Sequence, residues 1–225
     1  MRVAPASAVG TDLWFAAITK VVATSTHHRD KLVDWQIVRR LWLGSLPFSA
    51  ITMTCIKWGF LPAGGHPFLK RTIAIAVIVT ALGMLLQKEL HEWGRRLRTA
   101  RPDRFRAWQS PLTVTAGAIL GILVTLTSVG AGALGVVILS HLYPFRLNSS
   151  SLIATDIAHA IPLAVFAGLG HILIGDVRLA LLGYLLLGSV PMVWVGAKLS
   201  SRMAQPLLRW ILIVVLLVVG IKLWA

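Results

Sequence analysis

Gly10-Thr11-Asp12-Leu13-Trp14-Phe15-Ala16 and, 144 residues on, Ala154-Thr155-Asp156-Ile157-Ala158-His159-Ala160 open two copies of one pattern. Residues 8–47 recur at 152–191 without a gap. His27 returns as His171, and Gly44-Ser45-Leu46-Pro47 as Gly188-Ser189-Val190-Pro191. Ala16, Ala23, Val33, Leu41 and Leu43 match Ala160, Ala167, Val177, Leu185 and Leu187. A tandem repeat in an apolar chain is the mark of a transporter built from two related halves. It also sorts the polar residues into those that both copies carry and those that only one does.

The surroundings of the repeat fix the class. The chain has 225 residues, of which 56% are hydrophobic and only 13% charged, with a mean hydropathy of +0.78. A soluble domain carries roughly 25% charged residues. Apolar runs fall at about 8–26, 35–57, 70–87, 112–143, 152–174, 178–199 and 207–224. Most approach the ~20 residues that span a bilayer. In hydrocarbon each backbone group must be paired within its own segment, so the runs are helices and the fold is all-α, a polytopic transmembrane helical protein. Trp35, Trp58, Trp93, Trp108 and Trp224 stand near the ends of runs, where amphipathic indoles collect.

The net charge of +14 does not indicate nucleic acid. The basic residues gather between apolar runs, as positive-inside topology requires, and no basic stripe is interleaved with stacking aromatics. The single cysteine, Cys55, excludes an intramolecular disulfide and a cysteine-rich metal site. The start of the chain does not resemble a cleavable signal peptide. The pattern gives a first transmembrane repeat over 1–87, a basic cytoplasmic loop over 88–111 with net charge +4, and a second repeat over 112–225.

The run at 112–143 is too long for one simple span, and Gly130, Gly132 and Gly135 interrupt it. Glycine weakens a helix by ~1 kcal/mol relative to alanine, which predicts two half-helices meeting at a turn within the membrane. With 88–111 inside, the loop 27–34 with Arg29 and Lys31 is also inside. A run that dips in and returns would put Lys198, Arg202 and Arg209 inside as well, and would invert the second half relative to the first. Against this, Lys57, Lys70 and Arg71 fall outside in either case. The comparison of copies also predicts a gap: the glycine-containing segment ahead of Thr155 has no counterpart ahead of Thr11. A late start of the reading frame or another subunit would account for it.

Seven residues are candidates for chemistry. Asp12 and Asp156 lie inside apolar runs, where a charge costs at least ~2.5 kcal/mol. They read either as proton-coupling groups or as helix caps beside Thr11 and Thr155. Lys20 stands eight residues after Asp12 on a similar helix face and has Ala164 as its counterpart. It can attract an anion, pair with Asp12, or reach to the interface. His159 shares a face with Asp156 and has Phe15 as its counterpart, so it can relay a proton, bind an oxyanion, or only bond a neighbouring helix. Ser128, Gly130 and Gly132 read as an anion cradle, because a broken helix exposes N–H groups at the positive end of the following half-helix. A small-residue packing face is the alternative. His27 and His171 read as helix-end residues near water. Ser45 and Ser189 read as partners of backbone freed by the kinks at Pro47 and Pro191.

The chain resembles the sulfite exporter TauE/SafE family, also called the toluene sulfonate uptake permease family. The resemblance rests on Gly10-Thr11-Asp12-Leu13-Trp14-Phe15-Ala16-Ala17, Val33-Asp34-Trp35, Gly44-Ser45-Leu46-Pro47, Gly130-Ala131-Gly132-Ala133-Leu134-Gly135, Thr155-Asp156-Ile157-Ala158-His159-Ala160-Ile161-Pro162 and Gly188-Ser189-Val190-Pro191. It covers nearly the whole chain outside 88–111. It implies a multi-pass protein of the bacterial inner membrane that moves sulfite, sulfonates or related sulfur-containing anions without ATP hydrolysis. The family's first glycine-rich segment is the point of departure. The expected function is secondary transport of such anions, with Lys20 and His159 at the anion, Asp12 and Asp156 coupling protons, and no cofactor or metal. Oligomeric state is left open. The rivals are an intramembrane aspartyl hydrolase, which would need Asp12 and Asp156 as a shared-proton dyad, and a non-transporting assembly subunit.

Overall fold

The computed structural model describes residues 4–25, 32–61, 67–100, 102–130, 132–200 and 205–224, whose regular elements are all helices. Helices α1 (Pro5–Ser25), α2 (Trp35–Lys57) and α3 (Pro67–Leu85) are followed by α4 (Gln87–Ala100) and α5 (Pro102–Thr127). Then come α6 (Ala133–Leu142), α7 (Ser149–Ile174), α8 (Leu179–Ser200) and α9 (Gln205–Trp224). Phe105–Thr127 and Ser150–Ile174 are each long and apolar enough to cross a bilayer, and the bent pair α3–α4 passes the same test together. Large apolar side chains face outward, among them Leu173, Tyr184 and Leu187. That is what a protein solvated by lipid requires. His27, Arg29, Lys31, Ala131 and Arg202 lie outside the described residues, as do the side chains of Lys198 and Arg209.

The stretch 88–111 is helical, where the sequence suggested a loop. Leu90, Trp93 and Leu97 repeat at helical spacing along α4 between charged residues, so the segment is amphipathic and holds its backbone bonds internally. Pro102 then opens α5, at a position where the missing N–H costs nothing. His91 Nδ1 approaches the Ser140 carbonyl at 3.0 Å, and His141 Nδ1 approaches that of Leu90 at 2.7 Å, joining α4 to α6.

Small residues bring the central helices together. Gly44 of α2 meets the backbone of Val114 and Ala118, Gly117 meets that of Leu41, and Gly121 that of Ser45. Gly117 and Gly121 form a Gly-x-x-x-Gly face, the device by which membrane helices approach without large side chains between them. The Ser49 hydroxyl then bonds that of Thr125 at 2.7 Å. Contacts advance together along both chains, so α2 and α5 run parallel. Residues of α7 advance along α2 in the same way, from Thr155 at Asp34 to Gly170 at Met53. Helix α1 runs against α7, with Gly10 at Asp176 and Trp14 at Gly168.

After α5 the chain breaks. Ser128, Gly130 and Gly132 have φ of 58°, 118° and 125°, and α6 starts at Ala133. The Val129 N–H donates to Thr127 Oγ1 at 3.1 Å and stitches the turn. α6 has 10 residues, about 15 Å, half the ~30 Å of a bilayer core. Its far end comes back to the beginning of α5: Gln109 Nε2 donates to the Leu142 carbonyl at 2.5 Å, and the Tyr143 hydroxyl meets that of Thr113 at 2.7 Å. The half-helix therefore returns to the side from which α5 entered.

Candidate functional site

Two hydrogen bonds define the frame of the site. The Asp34 N–H donates to Thr155 Oγ1 at 3.1 Å, and the Arg178 N–H donates to Thr11 Oγ1 at 3.2 Å. Thr11 and Thr155 are counterparts in the repeat, and so are residues 34 and 178. Each copy's threonine thus ties the chain of the other copy where its second helix begins. Thr11 and Thr155 are buried, and Thr11 also donates to the Ser7 carbonyl at 2.6 Å. Asp34 caps α2 by accepting from the N–H groups of Gln36 and Ile37, and Arg146 grips both its oxygens at 2.5 and 3.0 Å.

Inside this frame the structure brings Lys20, Asp12, Asp156 and His159 together. Lys20 stands within electrostatic reach of both carboxylates and of the His159 ring. The two carboxylates occupy different surroundings. Asp12 is exposed between buried Thr11 and Leu13, and lies beside Ser128. Asp156 is buried at 1% exposure, and its Oδ1 has no hydrogen-bond partner. It presses on the first turn of α6, where a methyl group at Gly135 would overlap the carboxylate. Only glycine leaves that space at the positive end of the half-helix. Asp12 and Asp156 make no hydrogen bond to each other among the described residues, and each has Lys20 as its charged neighbour. That is not the arrangement of a shared-proton dyad.

His159 is fully buried. Its Nε2 meets Ser45 Oγ at 3.0 Å, while its Nδ1 has no partner. The Trp42 indole N–H donates to its carbonyl at 3.3 Å. Ser45 thus faces the histidine, where the sequence reading gave it to the backbone near Pro47. The hydroxyl of Ser189, its counterpart, is buried without a partner, consistent with Phe15 standing in the place that His159 holds in the other copy. His171 is another departure. It is 2% exposed, not at the water interface, and its Nε2 meets the Thr125 carbonyl at 3.0 Å.

The turn after α5 supplies the remaining candidates. Ser128 holds a left-handed backbone conformation, which costs a non-glycine residue on the order of 1 kcal/mol or more. Its hydroxyl is buried and lies beside the Asp12 carboxylate. Beside Gly132 a side-chain methyl would meet nothing within 4 Å. Strain, a buried hydroxyl beside a carboxylate and open space coincide at this turn. Among the described residues no group of three His, Cys, Asp or Glu side chains is placed to hold a metal ion. Sequence reasoning missed Ser45 as the partner of His159 and Gly135 as the seat of Asp156, although both lie in motifs it had singled out.

Comparison with known proteins agrees with the motifs. The family described as sulfite exporter TauE/SafE matches residues 1–223. The chain belongs to the TauE/SafE family. It is 31% identical over 226 residues to the probable membrane transporter protein YjnA of Bacillus subtilis (strain 168), covering 97% of this chain and 85% of that protein. No solved structure matches. Membership of TauE/SafE makes the chain a multi-pass membrane transporter, and the Lys20 cluster lies on its helices α1 and α7.

Proposed function

We propose that this TauE/SafE protein is a secondary transporter of small sulfur-containing oxyanions, such as sulfite or a sulfonate, in the bacterial inner membrane. The observation that carries the reading is Lys20 standing among Asp12, Asp156 and His159 next to the strained turn Ser128–Gly132. A lysine at that depth is retained where it meets an anion or carboxylates. The anion rests against the turn, takes charge from Lys20, and accepts hydrogen bonds from Ser128 and the free His159 nitrogen. Asp12, the accessible carboxylate, and Asp156, the buried one, take up and release protons as the anion moves. The description of the family names sulfite, and the name of the Bacillus relative supports membrane transport in general.

The reciprocal ties Thr155–Asp34 and Thr11–Arg178, with α1 running against α7, support reading the two copies as an inverted pair with the site between them. The test is uptake of radiolabelled sulfite or toluenesulfonate into proteoliposomes, with and without an imposed pH gradient. Saturable uptake that is lost in Lys20→Met is expected. Absence of uptake of either anion at any imposed gradient overturns the assignment.

A further inference from the structure

At Leu86 the chain swings by 65° between α3 and α4. Helix α4 therefore departs from the direction of the spanning helix before it, and its amphipathic sequence suits the membrane surface. Trp93 on α4 and Trp108 near the start of α5 are 55% and 62% exposed, as indoles that meet headgroups are. On this helix Glu92, Arg95, Arg96 and Thr99, with Phe145 from the turn after α6, line an open cavity of about 340 Å³.

The charges around this cavity are unbalanced. The guanidinium groups of Arg95 and Arg98 lie over the Phe145 ring, 5.3 and 5.8 Å from its centre. Cation–π contact holds both groups in place and leaves their N–H edges free. Among the described residues, the ion pairs are Arg146–Asp34 and His171–Asp176. Arg95, Arg96 and Arg98 thus close no ion pair with Glu92 or any other described carboxylate. Two guanidinium groups held over one ring, with Arg96 lining the same cavity, repel one another unless an anion comes between them. Their planar forks match the oxygens of a phosphate.

We propose that this cavity binds the phosphate of an anionic phospholipid headgroup, with Arg95 and Arg96 as its principal donors and Thr99 as a hydroxyl donor. The site is separate from the Lys20 cluster and does not depend on what the protein carries. Positive-inside topology places it in the cytoplasmic leaflet, where anionic lipid is available. Inorganic phosphate shares the chemistry, so the experiment separates the two sources.

The full chain is placed in nanodiscs of phosphatidylcholine, and phosphatidylglycerol binding is followed by native mass spectrometry. Saturable phosphatidylglycerol binding is expected, weakened roughly 30-fold in R95Q/R96Q. Lys57→Gln, which removes a charge at the other end of the helical bundle, should leave it unchanged. Unaltered helical content of R95Q/R96Q by circular dichroism excludes misfolding as the cause. Inorganic phosphate that binds equally well in phosphatidylcholine alone, without a preference for the lipid, assigns the cavity to soluble phosphate and overturns the lipid. Equal retention of both phospholipids without phosphate binding overturns the site, as does wild-type affinity in R95Q/R96Q.

Discussion

Gly44 and Gly188 are the same residue of the repeat in two environments, which turns a single pair of substitutions into a test of the central packing. At Gly44 an added Cβ would overlap the Val114 carbonyl oxygen and lie 2.6 Å from the Ala118 nitrogen, both backbone atoms of α5. At Gly188 it would meet nothing within 4 Å among the described residues. An ordinary contact begins near 3.4 Å, so Gly44→Ala must push α2 and α5 apart by at least about 0.8 Å. A gap of that size forfeits roughly a quarter to a half of each dispersion contact along the seam. Overpacking of this kind costs about 1–3 kcal/mol, and here no flexible side chain can yield.

Helix propensity works the other way, because alanine is favoured over glycine by up to ~1 kcal/mol in a helix interior. Gly188→Ala receives that gain alone and should be neutral or slightly stabilising. For a chain of this size each kcal/mol moves Tm by roughly 2–4 °C, so the two variants, which share the propensity gain, should melt roughly 2–12 °C apart. Tryptophan fluorescence of the protein in nanodiscs during a thermal ramp reads this directly. Gly44→Ala should also weaken uptake, since the same seam holds Ser45 opposite His159. Equal melting of the two variants would refute the argument that α2 and α5 are joined through their small residues.

Three further outcomes follow from single contacts. Thr155→Val should expose the Asp34 amide and Thr11→Val the Arg178 amide to hydrogen exchange, each costing about 1 kcal/mol of local protection, while the amide of the other tie stays protected. Gly135→Ala should displace the Asp156 carboxylate, lowering the maximal uptake rate at least tenfold with little change in melting temperature, as measured in the proteoliposome assay. His159→Phe, which installs the residue its counterpart carries, should abolish anion binding in a radioligand filter assay, whereas His159→Gln should retain part of it through a bond to Ser45.

The helices were legible because their signal is an apolar run of known length, and the observed bounds of α2 are those of the sequence pattern. Helix α4 was not, because a polar segment between two apolar ones reads as a connection until its Leu90, Trp93 and Leu97 are placed on one face. The cluster was legible as residue types at membrane depth: Lys20, Asp12, Asp156 and His159 stand out against leucine and valine. Their pairings were not. The bond from His159 to Ser45 joins α7 to α2, and no spacing along the chain encodes it. Nor could the sequence assign Gly135, since its purpose is the room it leaves for a carboxylate on another helix.

Duplication by itself separates scaffold from chemistry poorly, and Thr-Asp shows why. The two threonines do the same thing, each accepting an amide N–H from the opposite copy, as an inherited structural element should. The two aspartates that follow them do not. Asp12 is accessible beside Ser128, while Asp156 is sealed against α6 with an oxygen unpaired. A cap retained from an ancestral half would keep the same partners in both copies. Carboxylates that share Lys20 but differ in access can hold protons in different circumstances, and a transporter needs that inequality if a proton and an anion are to cross together. Lys20 and His159, each present in one copy only, make the inequality local: the first faces both carboxylates, the second fills the place that Phe15 takes in the other half. On the proposed function, the chemistry of this protein lies where its two halves have ceased to be alike.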